Sequence, residues 1–322
     1  MFLQPRKAIT ELHGYAVEFS PFVDNLIAVG TAQYFGIIGN GKQNVYEMLP
    51  SGELLLVRGF DTAEGIYDTA WSEVNPQQLL SACANGSIKL WHLQTRDQFP
   101  IQNYHEHKQE VSGVNWNLVS KDSFVSASWD GTVKIWRPEL PHSVLTLAEH
   151  TKSAYNAVWN TQNNNLVASC SGDGTVKIWD LNTARSITTI PAHSNEVLAL
   201  DWNKYNQFEV VSGSADCSIK VWDIRNPSRE VRILAGHNYA VRRVKCSPHD
   251  PDVIASVSYD MSVGIWNTKS PYPRLQTASH HREFVFGIDF SLFVDGLVAS
   301  CSWDRQVTIW NYFGGPPQQQ LR

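Results

Sequence analysis

The chain lacks a positive surplus, a long apolar run and any cysteine pattern, and each absence removes a class of function. Twenty-six Lys and Arg stand against 31 Asp and Glu, a formal charge of −5, whereas a nucleic-acid binder needs a clustered basic surface. Arg242, Arg243 and Lys245 form a short basic cluster inside an alternating strand pattern, too small for a polyanion site. No stretch approaches the roughly 18 apolar residues of a spanning helix, so no direct membrane insertion is expected. No secretory pattern opens the chain, and Leu321-Arg322 is not a receptor-read organelle address. Cys83, Cys170, Cys217, Cys246 and Cys301 are odd in number and widely spaced, without CxxC or Cys/His pairs; they read as buried thiols of a reducing compartment. No metal and no cofactor is expected, and a cytosolic location is.

What the chain has in abundance is tryptophan, and it recurs. Trp91, Trp136, Trp179, Trp222, Trp266 and Trp310 follow one another at 43 to 45 residues, the length of a propeller blade. His107, His150, His193, His237 and His281 each stand 29 residues before their tryptophan. Six residues before it stand Asp130, Asp173, Asp216, Asp260 and Asp304, with Asn85 in the first clear copy. Ten before it stand Ser81, Ser126, Ser169, Ser212, Ser256 and Ser300. Each unit splits into four short β-branched or aromatic runs between turn residues, as in "YNAVWN", "NLVASCSG", "TVKIWD" and "ARSITTI", which is the signature of four strands. With "KIWD" at 177–180, "VWD" at 221–223 and "AGH" at 235–237, the chain resembles the WD-repeat β-propeller family over nearly its whole length.

Before the clear units, "YAVEFSP" (15–21), "NLIAVGT" (25–31) and "NVYEM" (44–48) supply strands of a degenerate blade, with Tyr46 in the tryptophan place and Asn40 six residues before it. The expectation is an all-β, seven-bladed propeller forming one domain over 1–322. Its parts are a closing strand in 1–13, degenerate blade one over 14–60, blades two to seven over 61–311 and a polar tail over 312–322. After Trp310, "NYFGGPPQQQLR" makes a poor strand, so the last blade lacks its outer strand. "KAITELH" at 7–13 looks like the segments before His150 and His237. It is predicted to pair in the last blade, closing the ring and removing an exposed edge.

Serine, histidine and aspartate recurring together invite a hydrolase reading, but a catalytic triad is needed once and this set occurs in five blades. No enzyme activity is expected. The WD-repeat resemblance implies instead a structural chain of hydrogen bonds from tryptophan indole through serine and histidine to aspartate. The five sets are His107, Ser126, Asp130 and Trp136; His150, Ser169, Asp173 and Trp179; His193, Ser212, Asp216 and Trp222; His237, Ser256, Asp260 and Trp266; and His281, Ser300, Asp304 and Trp310. Buried polar chains are satisfied throughout or absent. In blade two Thr62 holds the histidine place and Asn85 the aspartate place, so the charge disappears with its partner. "GIIGNG" at 36–41 lacks the strand-to-helix setting of a dinucleotide loop, and "SGDG" at 171–174 lacks the further carboxylates of a calcium loop. Both read as β-turns.

Function is then sought in residues that the repeat does not require. Six of the 12 tryptophans hold the signature place, and Trp71, Trp116, Trp159 and Trp202 lie 20 residues before a signature tryptophan, in first strands. These ten are core by register. Trp129 and Trp303 remain, each just before a turn aspartate, where blade six has Tyr259. The WD-repeat resemblance puts this turn on the narrow face around the central channel, where exposed aromatics can anchor a ligand. The loop at the histidine place, on the same face, carries Asp61, Glu64, Glu110, Glu196 and Glu283. Acids among aromatics suit a ligand that is apolar on one side and basic on another, not a phosphopeptide, which needs arginines.

Stretches beyond the generic repeat carry a narrower resemblance. "HGYAVEFSP" (13–21), "DWNKYN" (201–206), "ADCSIKVWDIRN" (215–226), "NYAVRRVKCSP" (238–248), "HHREFVFGIDFS" (280–291) and "CSWD" (301–304) resemble the peroxin-seven family, the receptors for the type-two peroxisomal targeting signal. This implies a cytoplasmic import receptor that shuttles to the peroxisome. Its partners would be the N-terminal nine-residue signals of peroxisomal matrix proteins, whose basic, aliphatic, His-or-Gln and apolar positions share one helical face. It also implies a co-receptor peroxin that covers the bound helix and links it to the peroxisomal docking machinery. Trp129, Tyr259 and Trp303 would hold the apolar side, and Glu64, Glu110 and Glu196 the basic residue and histidine. The alternative is a generic WD-repeat scaffold that assembles other proteins through the same face.

Overall fold

A computed structural model describes residues 5–314. The alternating runs become 28 strands among the described residues, β1 (Arg6–Ile9) to β28 (Gln306–Asn311) in chain order, in seven four-stranded sheets. Blade three shows the pattern: β10 (Val111–Trp116), β11 (Phe124–Ser128), β12 (Val133–Trp136) and β13 (Ser143–Leu147) pair in sequence order, all antiparallel. The core lies between blades. Ile178 and Ile190 of blade four, for example, pack with Trp202 and Trp222 of blade five. All ten register tryptophans are at most 5% exposed. Such a ring buries roughly 150–250 Å², several kcal/mol each at about 25 cal/mol per Å².

The ring closes through the front of the chain. In the last sheet the order is β1, β28, β27 (Leu297–Ser302), β26 (Val285–Phe290), with Arg6 opposite Ile309 and Ile9 opposite Gln306. Thr10 adds N–H and Oγ1–H bonds to the Arg305 carbonyl at 2.8 and 3.1 Å. Two boundaries differ from the sequence expectation. The closing strand ends at Ile9, and His13 already opens β2 (His13–Phe19), the innermost strand of blade one. Blade one runs past 60, because its outer strand is β5 (Leu54–Thr62). Tyr312–Gly314 form a 3-10 turn; residues 1–4 and the rest of the expected tail lie outside the described residues.

An innermost strand has no strand neighbour on its channel side, so its N–H groups need other partners. Side chains of the adjacent blade supply them. Glu18 accepts from Trp71 N–H at 2.7 Å, Asp68 from Val114 at 3.1 Å, Asn115 from Trp159 at 2.9 Å, Asp201 from Cys246 at 2.8 Å and Asp289 from Phe19 at 2.9 Å. Burial raises the Glu18 and Asp289 carboxyls above their ordinary values against the pull of Lys245. Arg243 pairs with Asp68 at 2.6 Å and Lys245 with Asp289 at 3.5 Å, so most of the basic cluster is internal charge.

No helix among the described residues is long and apolar enough to cross a membrane. All five cysteines are free; four are buried, but Cys217 is half-buried in a turn, against the expectation of buried thiols.

Candidate binding face

Histidine-led chains fix the loops at one end of the channel. Trp136 Nε1–H donates to Ser126 Oγ at 2.8 Å, Ser126 Oγ meets His107 Nε2 at 2.7 Å, and His107 Nδ1 meets Asp130 at 3.0 Å. The sets at His150, His193 and His237 repeat this within 2.7–3.0 Å. Burial alone would raise Asp130, Asp173 and Asp260. Hydrogen bonds from the histidine, a neighbouring hydroxyl and a backbone N–H outweigh it and hold all three well below the usual carboxylate range.

Blade seven differs: His281 meets Ser300 at 2.7 Å and Asp304 at 3.1 Å, but Trp310 Nε1 has no partner among the described residues. Its ring instead packs edge-on to His280, 4.9 Å away. The other four blades have Glu106, Glu149, Ala192 or Gly236 there. In blade two, Ser81 accepts from Trp91 at 2.8 Å and donates to Gln43 Oε1 at 2.7 Å. A neutral, fully buried side chain of the preceding blade thus takes the histidine's part, which the sequence reading missed.

Three register places point from these loops and inner strands into one cavity of about 550 Å³. The place before the turn aspartate contributes Trp129, Ala215, Tyr259 and Trp303. The place three residues after the histidine contributes Glu110, Glu196, Ala240 and Phe284. The third, four residues before the first-strand tryptophan place, contributes Tyr15, Tyr67, Tyr155, Leu198, Arg242 and Phe286.

The aromatic rings form a continuous floor. Trp303 stacks on Phe286 at 4.6 Å and Tyr259 on Phe284 at 4.7 Å; Trp129 lies between Tyr67 and Tyr155 at 5.9 and 6.3 Å. Trp129, Tyr259 and Trp303 are therefore half-buried, not the freely exposed anchors expected from sequence. Burial raises the Tyr15 and Tyr259 hydroxyls and pushes Tyr67 and Tyr155 up to about 12, so all four are neutral donors.

Of the five acids, only Glu110 and Glu196 line the cavity. Tyr155 Oη–H steadies Glu196 at 3.2 Å. Glu64 and Glu283 stand two residues after the histidine place, not three, and that shift of one turns their side chains out. Glu64 pairs with Lys89 at 2.5 Å, both side chains 14% exposed. Asp61 lies on the outer strand of blade one, 3.4 Å from Lys42, and Glu283 is exposed. A positive charge enters as well, since the Arg242 guanidinium sits 5.3 Å from the Phe286 ring centroid.

The segment read as a plain turn at 36–41 is part of the rim. Phe35, Gly36 and Ile37 line the cavity, and Phe35 meets Trp303 at 5.1 Å. Tyr34 and Phe35 have φ of 45° and 56°, which is strained for bulky side chains. Two inner-strand hydroxyls hold them there: Tyr15 donates to Phe35 O and Tyr67 to Gly36 O, each at 2.5 Å. Gly36, at φ 73°, is required, because a Cβ would fall 2.2 Å from the Tyr15 hydroxyl.

Repeated histidine-led blades closed into a ring, with an aromatic and acidic cavity at one mouth, define a WD-repeat propeller. The WD domain, G-beta repeat model matches residues 98–137, 141–180, 184–223, 228–267 and 273–311. A Dictyostelium discoideum protein named peroxisomal targeting signal 2 receptor is 57% identical over 241 residues, 74% of this chain and 76% of that relative. The Homo sapiens protein of the same name is 43% identical over 103 residues, 32% of this chain and 31% of the relative. The Arabidopsis thaliana peroxisome biogenesis protein 7 is 43% identical over 105 residues, 32% of this chain and 33% of the relative. The chain belongs to the peroxisomal targeting signal 2 receptor family of WD-repeat proteins.

Proposed function

We propose that the chain is the import receptor for proteins bearing the type-two peroxisomal signal, taken up in the cytoplasm as an amphipathic helix. The observation that carries this reading is the cavity, an aromatic floor with two glutamates in blades three and five. A helix laid across it sets its aliphatic positions on Trp303, Phe286 and Tyr259 and its basic positions toward Glu110 and Glu196. A preformed floor lowers the ordering cost of binding. The co-receptor closes over the exposed face of that helix, in contact with Ile37 and Ile38, which are 82% and 69% exposed at the rim. It then carries the complex to the docking machinery.

The test is a fluorescence-anisotropy titration with the nonapeptide signal and a scrambled control. Glu110→Lys should weaken the signal about tenfold or more, about 1.4 kcal/mol, with the melting temperature unchanged. Equal binding of signal and scramble, or an unaltered affinity in Glu110→Lys, sinks the reading.

A further inference from the structure

The turns between first and second strands surround the other end of the channel, opposite the cavity, at a mouth of about 350 Å³. In blades four to six these turns are tied to their neighbours. Gln162 donates to Tyr205 O at 3.2 Å, Tyr205 Oη–H to Pro248 O at 2.7 Å, and His249 Nε2 meets Ser291 O at 2.9 Å. In the four adjacent blades seven, one, two and three, the same turns present Phe293 and Val294, Phe22 and Val23, Val74, and Val119 to solvent, 37–64% exposed. Each adjoins a residue that lines the mouth: Leu292, Pro21, Glu73 or Leu118. The blade frame does not require an apolar residue here, since Gln162 and His249 hold the same place in blades four and six, and Tyr205 in blade five spends its hydroxyl on the tie. Apolar side chains exposed on four neighbouring turns of one rim, rather than singly, mark an interaction surface.

Its charge selects the partner. Asp24 follows Val23 and Asp295 follows Val294; both are exposed, and neither has an ion-pair partner among the described residues. Uncompensated carboxylates beside apolar side chains repel an anionic membrane surface and favour cationic groups. We propose that this arc docks an amphipathic segment of another protein, apolar on one face and flanked by Lys or Arg. The surface lies across the ring from the cavity, so a cargo-loaded receptor can be held by it without competition.

The probe is a helical peptide of leucine and lysine, about 18 residues or five turns long, beside a leucine and glutamate counterpart. On the full chain, the lysine peptide should protect the amides of 20–25, 117–120 and 291–296 from hydrogen exchange, and the glutamate peptide should not. Phe22→Ser/Phe293→Ser and Asp24→Lys/Asp295→Lys, all at exposed sites, should each lower its affinity about tenfold or more with melting unchanged. Glu110→Lys/Glu196→Lys should leave this protection in place, which separates the proposal from the cavity reading. Protection confined to the cavity face, or equal affinity of the two peptides, overturns it. So does a dimer of the free chain that Phe22→Ser/Phe293→Ser dissociates, or protection without peptide that vanishes when residues 315–322 are deleted.

Discussion

Replacing Tyr67 by Phe isolates one hydroxyl. The ring keeps its packing at 5.2 Å from Tyr15 and 5.9 Å from Trp129, and only the 2.5 Å bond to Gly36 O is lost. Backbone strain at Tyr34 and Phe35 is of order 1–3 kcal/mol each. Against it stand two tyrosine bonds, and a buried carbonyl left without its donor costs about 1–3 kcal/mol. The two sides are of similar size, so losing one bond decides whether the loop stays closed. A loss of about 1–2 kcal/mol reduces the closed-to-open ratio roughly 5–30-fold. Hydrogen exchange at the amides of 34–39 should rise, by that factor at most, and signal-peptide affinity should fall with it. The sheets are untouched, so the melting temperature should drop by no more than about 4 °C. Unchanged exchange in 34–39 would refute the argument that the hydroxyl holds the rim.

Deleting residues 1–9 removes the partner of β28 and should lower the melting temperature in one cooperative step; an unaltered melt means that β1 is dispensable. Trp179→Phe orphans part of a buried network and should cost about 1 kcal/mol more than Trp310→Phe, whose indole N–H has no partner to lose among the described residues, as denaturant titrations of both would show. The tetrad aspartates have folded pKa values below their unfolded ones. Their stabilisation is present above about pH 4 and is lost as pH falls below it. Asp173→Asn should therefore cost stability at neutral pH and flatten the acid limb of a urea-midpoint profile, and an unchanged slope there would contradict the pairing.

The spacing of tryptophan, histidine and aspartate makes the ring legible in the sequence, because hydrogen-bonded blades repeat the same buried chemistry at the same offsets. The cavity was half legible. Trp129, Tyr259 and Trp303 stood out as departures inside a repeated turn, but Tyr15, Tyr67 and Phe286 did not, since aromatic residues in strands read as core. Their signal was the shared place four residues before the first-strand tryptophan, where Arg242 also falls. Glu64 and Glu283 failed through a one-residue offset, invisible when loop acids are grouped by location. Gln43 and the 34–38 rim lie in the degenerate blade, at places for which the other blades offer no counterpart.

The join between β1 and β28 also has a history in time. Arg6–Ile9 leaves the ribosome well before the strand that it pairs with, which ends at Asn311. At about 5–20 residues per second, it waits roughly 15–60 s for a partner. Until then β1 has no strand partner, an opening for mispairing, and the faces of the first and last blades that pack together in the ring stay uncovered. Folding of this chain is thus most vulnerable before its seam closes, whereas the finished ring leaves only the short outer edge of β1 there.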